Sequence, residues 1–168
     1  MDGIHPSIRK YGELLLDADT VVRDTFFKLV ESGEFAFECR AQGDLYSFYM
    51  DEGQQRTLTE KKIHLPDGFS INVVNVEKEH EQIHDALTYA DKEHVECTRL
   101  RVVHLPSVCI RDCEGKLASW EMSHHYGQLT HLYTLENHRG KGIGQTTETL
   151  LAQNFVQSGL RVFKYVDY

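Results

Sequence analysis

The chain has 168 residues, 40% of them hydrophobic and 26% charged, with a formal net charge of −8. That balance describes a globule with enough apolar material for a core, and it excludes sequence-independent nucleic-acid binding, which needs a basic surface. No apolar run approaches the length of a membrane span, so no membrane partner is expected.

The N-terminus MDGIHPSIRKYGE has neither the apolar core of a signal peptide nor the acid-poor, Arg/Ser-rich look of a transit peptide. An intracellular place, cytoplasmic or mitochondrial, is therefore expected. Cys39, Cys97, Cys109 and Cys113 form no C-x-x-C pair or disulfide framework, and reduced, buried thiols are expected.

In chain order, a helix is predicted between about Ser7 and Ser32. Ala18, Val22, Phe26, Leu29 and Val30 fall at helical spacing there, and Gly33 stands where a helix end takes a left-handed residue. FAFEC alternates Phe35, Phe37 and Cys39 on one face, and LYSFYM, Leu45 to Met50, supplies a partner strand across a Gln-Gly-Asp turn. The polar run Asp51 to Lys62 reads as a linker. Residues 1–64 are thus expected to form an N-terminal helix–hairpin segment packed on a main domain of residues 65–168.

In the main domain, INVVNV (Ile71 to Val76) reads as a strand. Two helical stretches follow, from about Glu77 to Tyr89 and from Lys92 to Val103. SVCIR and LASWEM form a hairpin around Asp112-Cys113-Glu114-Gly115, and LTHLYTL, Leu129 to Leu135, is the next strand. The loop HRGKGIG then opens a helix whose apolar stripe holds Ile143, Thr147, Leu150, Leu151 and Phe155; Gly159 closes it, and VFKYV is the last strand. A strand–loop–helix–strand unit with a right-handed crossover makes its strands parallel and puts the loop at the carboxyl end of the first, the place for an anion site.

Three phosphate loops compete for HRGKGIG. Walker A fails, because Lys141 precedes the second glycine and no Ser/Thr follows a Gly-Lys pair. Gly140, Gly142 and Gly144 give G-x-G-x-G, a poor match to the dinucleotide fingerprint, and the unit comes at the wrong end of the chain. The third, R-x-x-G-x-G, is met by Arg139, Gly142 and Gly144 and resembles the pyrophosphate loop of the GNAT superfamily of acyl-CoA-dependent acyltransferases.

Further residues narrow the resemblance. Pro106-Ser107, Asp112, Glu114-Gly115, Ser119-Trp120, Tyr133-Thr134-Leu135, Arg139-Gly140 and Val166-Asp167 stand in register over Leu65 to Tyr168. Together they resemble the C-terminal half of the glycine N-acyltransferase family. The resemblance implies a GNAT-like α+β fold, a mixed and mostly antiparallel sheet with helices on both faces and a βαβ acyl-CoA-binding unit. It also implies acyl transfer from acyl-CoA or acetyl-CoA to the amino group of an amino acid such as glycine, with no metal.

Amides from about Lys141 to Gln145 would face the pyrophosphate, with Arg139, Gly140, Lys141, Gly142, Ile143 and Gly144 forming the loop. Leu132, Tyr133, Thr134 and Leu135 would hold the pantetheine arm by their strand edge, with an N–H near Leu132 or Tyr133 facing the thioester oxyanion. An ion pair with a surface carboxylate is the competing role for Arg139.

Two departures stand out. Where the family has a glutamate base after the glycine that starts this strand, the chain reads Gly127-Gln128, and an amide does not titrate. His131 is the first substitute, ahead of His124, His125 and Glu121. The family also continues past Val-Asp-Tyr into closing elements. An open strand at Arg161 to Tyr168 is expected to be covered by the N-terminal segment or by a second copy of the chain. The alternative to an enzyme is a CoA-binding pseudoenzyme or interaction module.

HEQIH, His80 to His84, matches the zinc-protease signature H-E-x-x-H, which would put two imidazoles one helical turn apart beside Glu81. Glu77, Lys78, Glu79 and Asp85 surround it, and a solvated helix face is the expectation.

Overall fold

A computed structural model describes residues 20–33, 45–88, 90 and 94–167. The chain divides into two compact units, Met1–Gly43 and Asp44–Tyr168. In the first, helix α1 (Thr20–Glu31) ends at Gly33, whose φ of 78° is the left-handed stop expected of it. Phe26, Leu29 and Val30 are half-buried and Val22 is exposed. The first turns of the expected helix and the FAFEC strand lie outside the described residues.

The second unit carries β1 (Leu45–Tyr49), α2 (Glu52–Glu60), β2 (Ser70–Asn72), α3 (Val76–Asp85), α4 (Val95–His104), β3 (Ser107–Arg111), β4 (Leu117–Ser123), β5 (Leu129–Thr134), α5 (Ile143–Gln157) and β6 (Phe163–Asp167). Strands β2-β3-β4-β5 form one antiparallel sheet in that order, and β1 pairs with β6 in a second. Every residue of β4 is buried, because helices cover both faces of the sheet. Trp120, Met122 and Cys109 pack with Ile83, Leu87 and Val102 toward α3 and α4. Val108 and Leu129 pack with Leu151, Ala152 and Phe155 of α5 and with Leu58 of α2.

Three expectations are corrected. The polar run read as a linker is helix α2. Asp51 accepts from the Gln54 amide at 2.8 Å while its own amide donates to Gln54 Oε1 at 2.9 Å, a reciprocal cap. Gln153 then donates to the carbonyls of Leu58 and Lys61, both at 2.8 Å, and ties the end of α2 to α5.

The strand expected over Ile71 to Val76 stops at Asn72. Arg111 takes the Val73 carbonyl at 2.9 Å and grips Glu79 of α3 with bonds of 2.6 and 2.9 Å, which draws the chain off the sheet edge and into the helix. Glu79 is held below the usual carboxylate range. Burial alone would raise it, but the Arg111 bonds and the Asn75 amide together outweigh that. The cysteines differ too: Cys109 is buried, whereas Cys97 and Cys113 are exposed and free. Cys39 lies outside the described residues.

The β3–β4 hairpin forms as read. Asp112 Oδ1 accepts from the amides of Glu114 (2.9 Å) and Lys116 (3.0 Å), and Gly115 takes a φ of 78°. Strand β6 is covered by β1, in register from Leu45 opposite Asp167 to Tyr49 opposite Phe163. A proline at Phe48, opposite Lys164, removes a backbone N–H and fixes φ inside this short ladder. Phe48→Pro is expected to lose about 1–3 kcal/mol and to scatter light on heating at concentrations where the parent does not. An unchanged melting curve would show that β1 does not guard the β6 edge.

Candidate active site

Strand β5 is the axis of the site. Its register with β4 pairs Trp120 with Tyr133 and Met122 with Thr130, so that His131 and Leu132 oppose Glu121 alone. This is a β-bulge: one extra residue on β5 bends the strand and frees backbone groups from the ladder. His131 has a φ of 56° and is the only non-glycine residue at positive φ among those described. On its other side β5 forms no ladder with β6, which belongs to the other sheet. The freed backbone at 131–132 therefore coincides with a break in the sheet, next to the positions where an N–H was expected to face an oxyanion.

At the carboxyl end of β5 the chain makes one 3₁₀ turn (Glu136–His138) and enters the glycine loop. Gly140 and Gly142 adopt φ of 75° and 77°, and Gly142 is the N-cap of α5 without any side-chain cap. The first amides of α5 thus lack intrahelical partners and keep the positive end of the helix dipole. Gly144 serves a different purpose. A Cβ there would stand 2.8 Å from Thr134 Oγ1, so the missing side chain lets α5 rest directly on β5. Thr134 and Thr147 each share a hydrogen bond with Ser119 Oγ at 2.9 Å, which pins the same junction from inside.

The expected ligand-holding residues converge here. Arg139 Nε donates to the Thr134 carbonyl at 2.9 Å, and its guanidinium lies 5.6 Å from the Tyr133 ring centroid. It also stands 3.7 Å from Glu136, so the carboxylate pairing anticipated for it is present. Lys141 Nζ donates to the Asn137 carbonyl at 3.1 Å. Ile143 is buried against Ile110 and Ala118, Gln145 is exposed, and Leu132 is exposed on the bulge. Tyr133 stacks on Trp120 at 5.1 Å, and Leu135 donates to the Ala118 carbonyl at 3.0 Å. Backbone amides, two cations and a helix N-terminus make a donor set that fits a polyanion.

Around the bulge the titratable groups fall on two faces. Toward α4, His131 Nε2 lies 3.3 Å from Nη1 of Arg101, and Arg101 is buried. Burial, with the Arg101 charge second, pushes His131 down to about 4. His124 also falls to about 4, from burial first and then from Arg101, His125 and His131. Gln128 carries a buried Oε1 that has no hydrogen-bond partner among the described residues. Toward α5, Glu121 is 2% exposed, with Oε2 unpartnered among the described residues. Burial raises Glu121 to about 8, with Glu148 adding to the rise and Lys164 opposing it. Glu148 and Lys164 form an ion pair and line a cavity of about 350 Å³ beside Leu129.

Arg101 had no signal in the sequence, being one cation on a polar helix. Lys164, alone in an apolar strand, was a signal that could have been followed. In HEQIH, His80 Nδ1 bonds its own helix at the Val76 carbonyl (2.7 Å), and His84 turns inward to Thr98 Oγ1 (3.0 Å). Among the described residues no three His, Cys, Asp or Glu side chains are grouped to hold a metal. No described helix is long and apolar enough to cross a membrane.

Two antiparallel sheets, helices on both faces, and a split and bulged strand leading into a glycine loop define a GNAT-like α+β fold. No family model matches the chain. It superposes on the crystal structure of a GCN5-related N-acetyltransferase from Sphaerobacter thermophilus with a TM-score of 0.50 and 10% identity, over 98% of this chain and 62% of that one. The X-ray structure of a Drosophila protein gives a TM-score of 0.73 at 15% identity, over 90% of this chain. This chain spans about half (51%) of that Drosophila protein.

Glu121 makes a pH prediction. Its folded value, about 8, lies above the ordinary glutamate value, so the folded state binds the extra proton. Stability therefore falls as pH rises from about 4.5 to about 8 and stays low above that. Glu121→Gln keeps the shape of the protonated acid and removes this loss. Its advantage should grow across the same window to roughly 1–3 kcal/mol, a few degrees of melting temperature. A constant difference between pH 4.5 and 8.5 would contradict the raised value.

Proposed function

We propose that the chain is an acyl-CoA-dependent N-acyltransferase that moves an acyl group to the amino group of an amino acid such as glycine or a similar small amine. The observation that carries this reading is the coincidence, on one strand, of the bulge at His131–Leu132, the split from β6, and the glycine loop that opens α5. The loop amides, Arg139 and Lys141 bind the CoA pyrophosphate. The edge of Leu132 to Leu135 takes the pantetheine amides in the split, and the bulge offers an N–H to the thioester oxygen. The cavity beside Leu129 leaves room for the acyl group beyond the bulge.

In the reaction the amine nitrogen attacks the thioester carbon. A C–N bond forms, the C–S bond breaks, the thiolate leaves on CoA, and the amine proton passes to solvent. No group at the bulge is a ready base at neutral pH: Gln128 does not titrate, the lone pair on His131 Nε2 is engaged by Arg101, and Glu121 holds its proton below about 8. The chain acts by orientation and oxyanion stabilisation on an amine that arrives unprotonated. A CoA-binding pseudoenzyme is the second reading, favoured by the amide at position 128.

Replacing Gly142 by leucine forces a β-carbon onto a left-handed N-cap and a side chain into the anion cradle. CoA binding by calorimetry should be lost, with a stability decrease of only about 1–2 kcal/mol. Undiminished affinity would refute the loop assignment.

For turnover, kcat/KM should rise about tenfold per pH unit until the acceptor amine is unprotonated. Gln128→Glu places a carboxylate in a buried position where its pKa is raised into the useful range. It should lift the low-pH limb by about 10- to 100-fold while CoA affinity stays unchanged. CoA binding without acyl transfer in either form would leave the pseudoenzyme reading standing.

A further inference from the structure

The bulge holds a second device besides its backbone. Arginine has only donors, so the 3.3 Å contact between Arg101 Nη1 and His131 Nε2 requires that nitrogen to accept, which leaves the proton of a neutral imidazole on Nδ1. The charged or titratable groups that act on the ring are Arg101 of α4 and, at the β4–β5 turn, His124, whose own ring stands 3.9 Å from that of His125. Each of them would become a like charge beside a protonated His131. Among the described residues no second hydrogen bond engages the ring, and the residue is half-buried, with Nδ1–H turned to no partner there.

We propose that Arg101 is a positioning residue that locks His131 in its neutral, Nδ1-protonated form, so that His131 serves as a hydrogen-bond donor to the acyl carbonyl at the bulge and not as a base. This rests on the acyltransferase reading and deepens it. A histidine used as base must take a proton on Nε2. That would break the Arg101 contact and set imidazolium against guanidinium in a buried place. A donor that stays neutral pays neither penalty and is already aimed when charge develops on the oxygen. The left-handed backbone at 131 also restricts what can stand there: asparagine and aspartate tolerate it better than most residues.

That tolerance supplies the test. Asparagine and aspartate have nearly the same shape, but only asparagine can donate, and only ionised aspartate can act as a base. His131→Asn should keep kcat within about tenfold of the parent, and His131→Asp should lose 100-fold or more, with CoA affinity unchanged in both. The reverse order, an active aspartate and an inactive asparagine, would overturn the proposal.

Nitrogen-15 NMR of the imidazoles reads the lock without any turnover. In the parent, His131 should show a protonated Nδ1 and no titration between pH 5.5 and 8. In Arg101→Met, which keeps most of the buried stem, the titration should move upward from the parent's, with burial still holding it below the ordinary histidine value. Arg101→Lys, which keeps a cation but not the planar fork, should hold the titration low. A parent His131 that titrates near 6.5 or carries its proton on Nε2 overturns the proposal while leaving the acyltransferase reading in place. CoA binding with no acyl transfer overturns both.

Discussion

Helix α5 rests directly on β5 because residue 144 has no side chain. A β-carbon there would press to 2.8 Å from Thr134 Oγ1, in a junction already filled by hydrogen bonds among Thr134, Ser119 and Thr147. With the helix seated so closely on β5, its first amides stand at the carboxyl end of the one strand that is both bulged and split from its neighbour. Loosening that contact would move the first amides of α5 away from the bulge, and orientation in a site is sensitive to shifts of about 1 Å. The loop, the bulge and the break in the sheet are one arrangement held at one point.

The two faces of the sheet carry opposite electrostatics. On the α4 side burial, with the Arg101 guanidinium second, keeps two imidazoles neutral, and on the α5 side a buried carboxyl keeps its proton next to the Glu148–Lys164 pair. Each group is ionisable in principle, and each is held in its neutral form near pH 7 by burial and by its neighbours. Low dielectric and like charge favour neutral forms wherever they outweigh the nearby countercharge. The same surroundings would raise a carboxylate at position 128 into the range of a base, although the chain has an amide there.

The polar segment 51–62 and the early end of β2 show why composition misleads at element boundaries. Asp51 and Gln54 satisfy the first amides of α2 from their own side chains, and Leu58 alone anchors the helix in the core; nine residues with one apolar contact look like a linker. Over Ile71 to Val76, four β-branched residues favour a strand. Arg111 overrides them, because its paired bonds to Glu79 and the Val73 carbonyl hold the chain in another direction.

The sequence by itself determined the class of fold and the place of the glycine loop that opens α5. Alternation, helical stripes and glycines at caps are local properties, and R-x-x-G-x-G after a strand and before a helix is one as well. It also revealed that position 128 cannot titrate. Only the tertiary structure decided the chemistry around the bulge. Arg101 and His131 are 30 residues apart, and nothing in either neighbourhood announces their contact. The bulge itself arises from the register of β5 against β4, a relation between two strands that neither strand encodes alone. Gly144 was legible as a glycine, but its reason was not: it is required by a threonine ten residues earlier, which the fold brings within van der Waals reach.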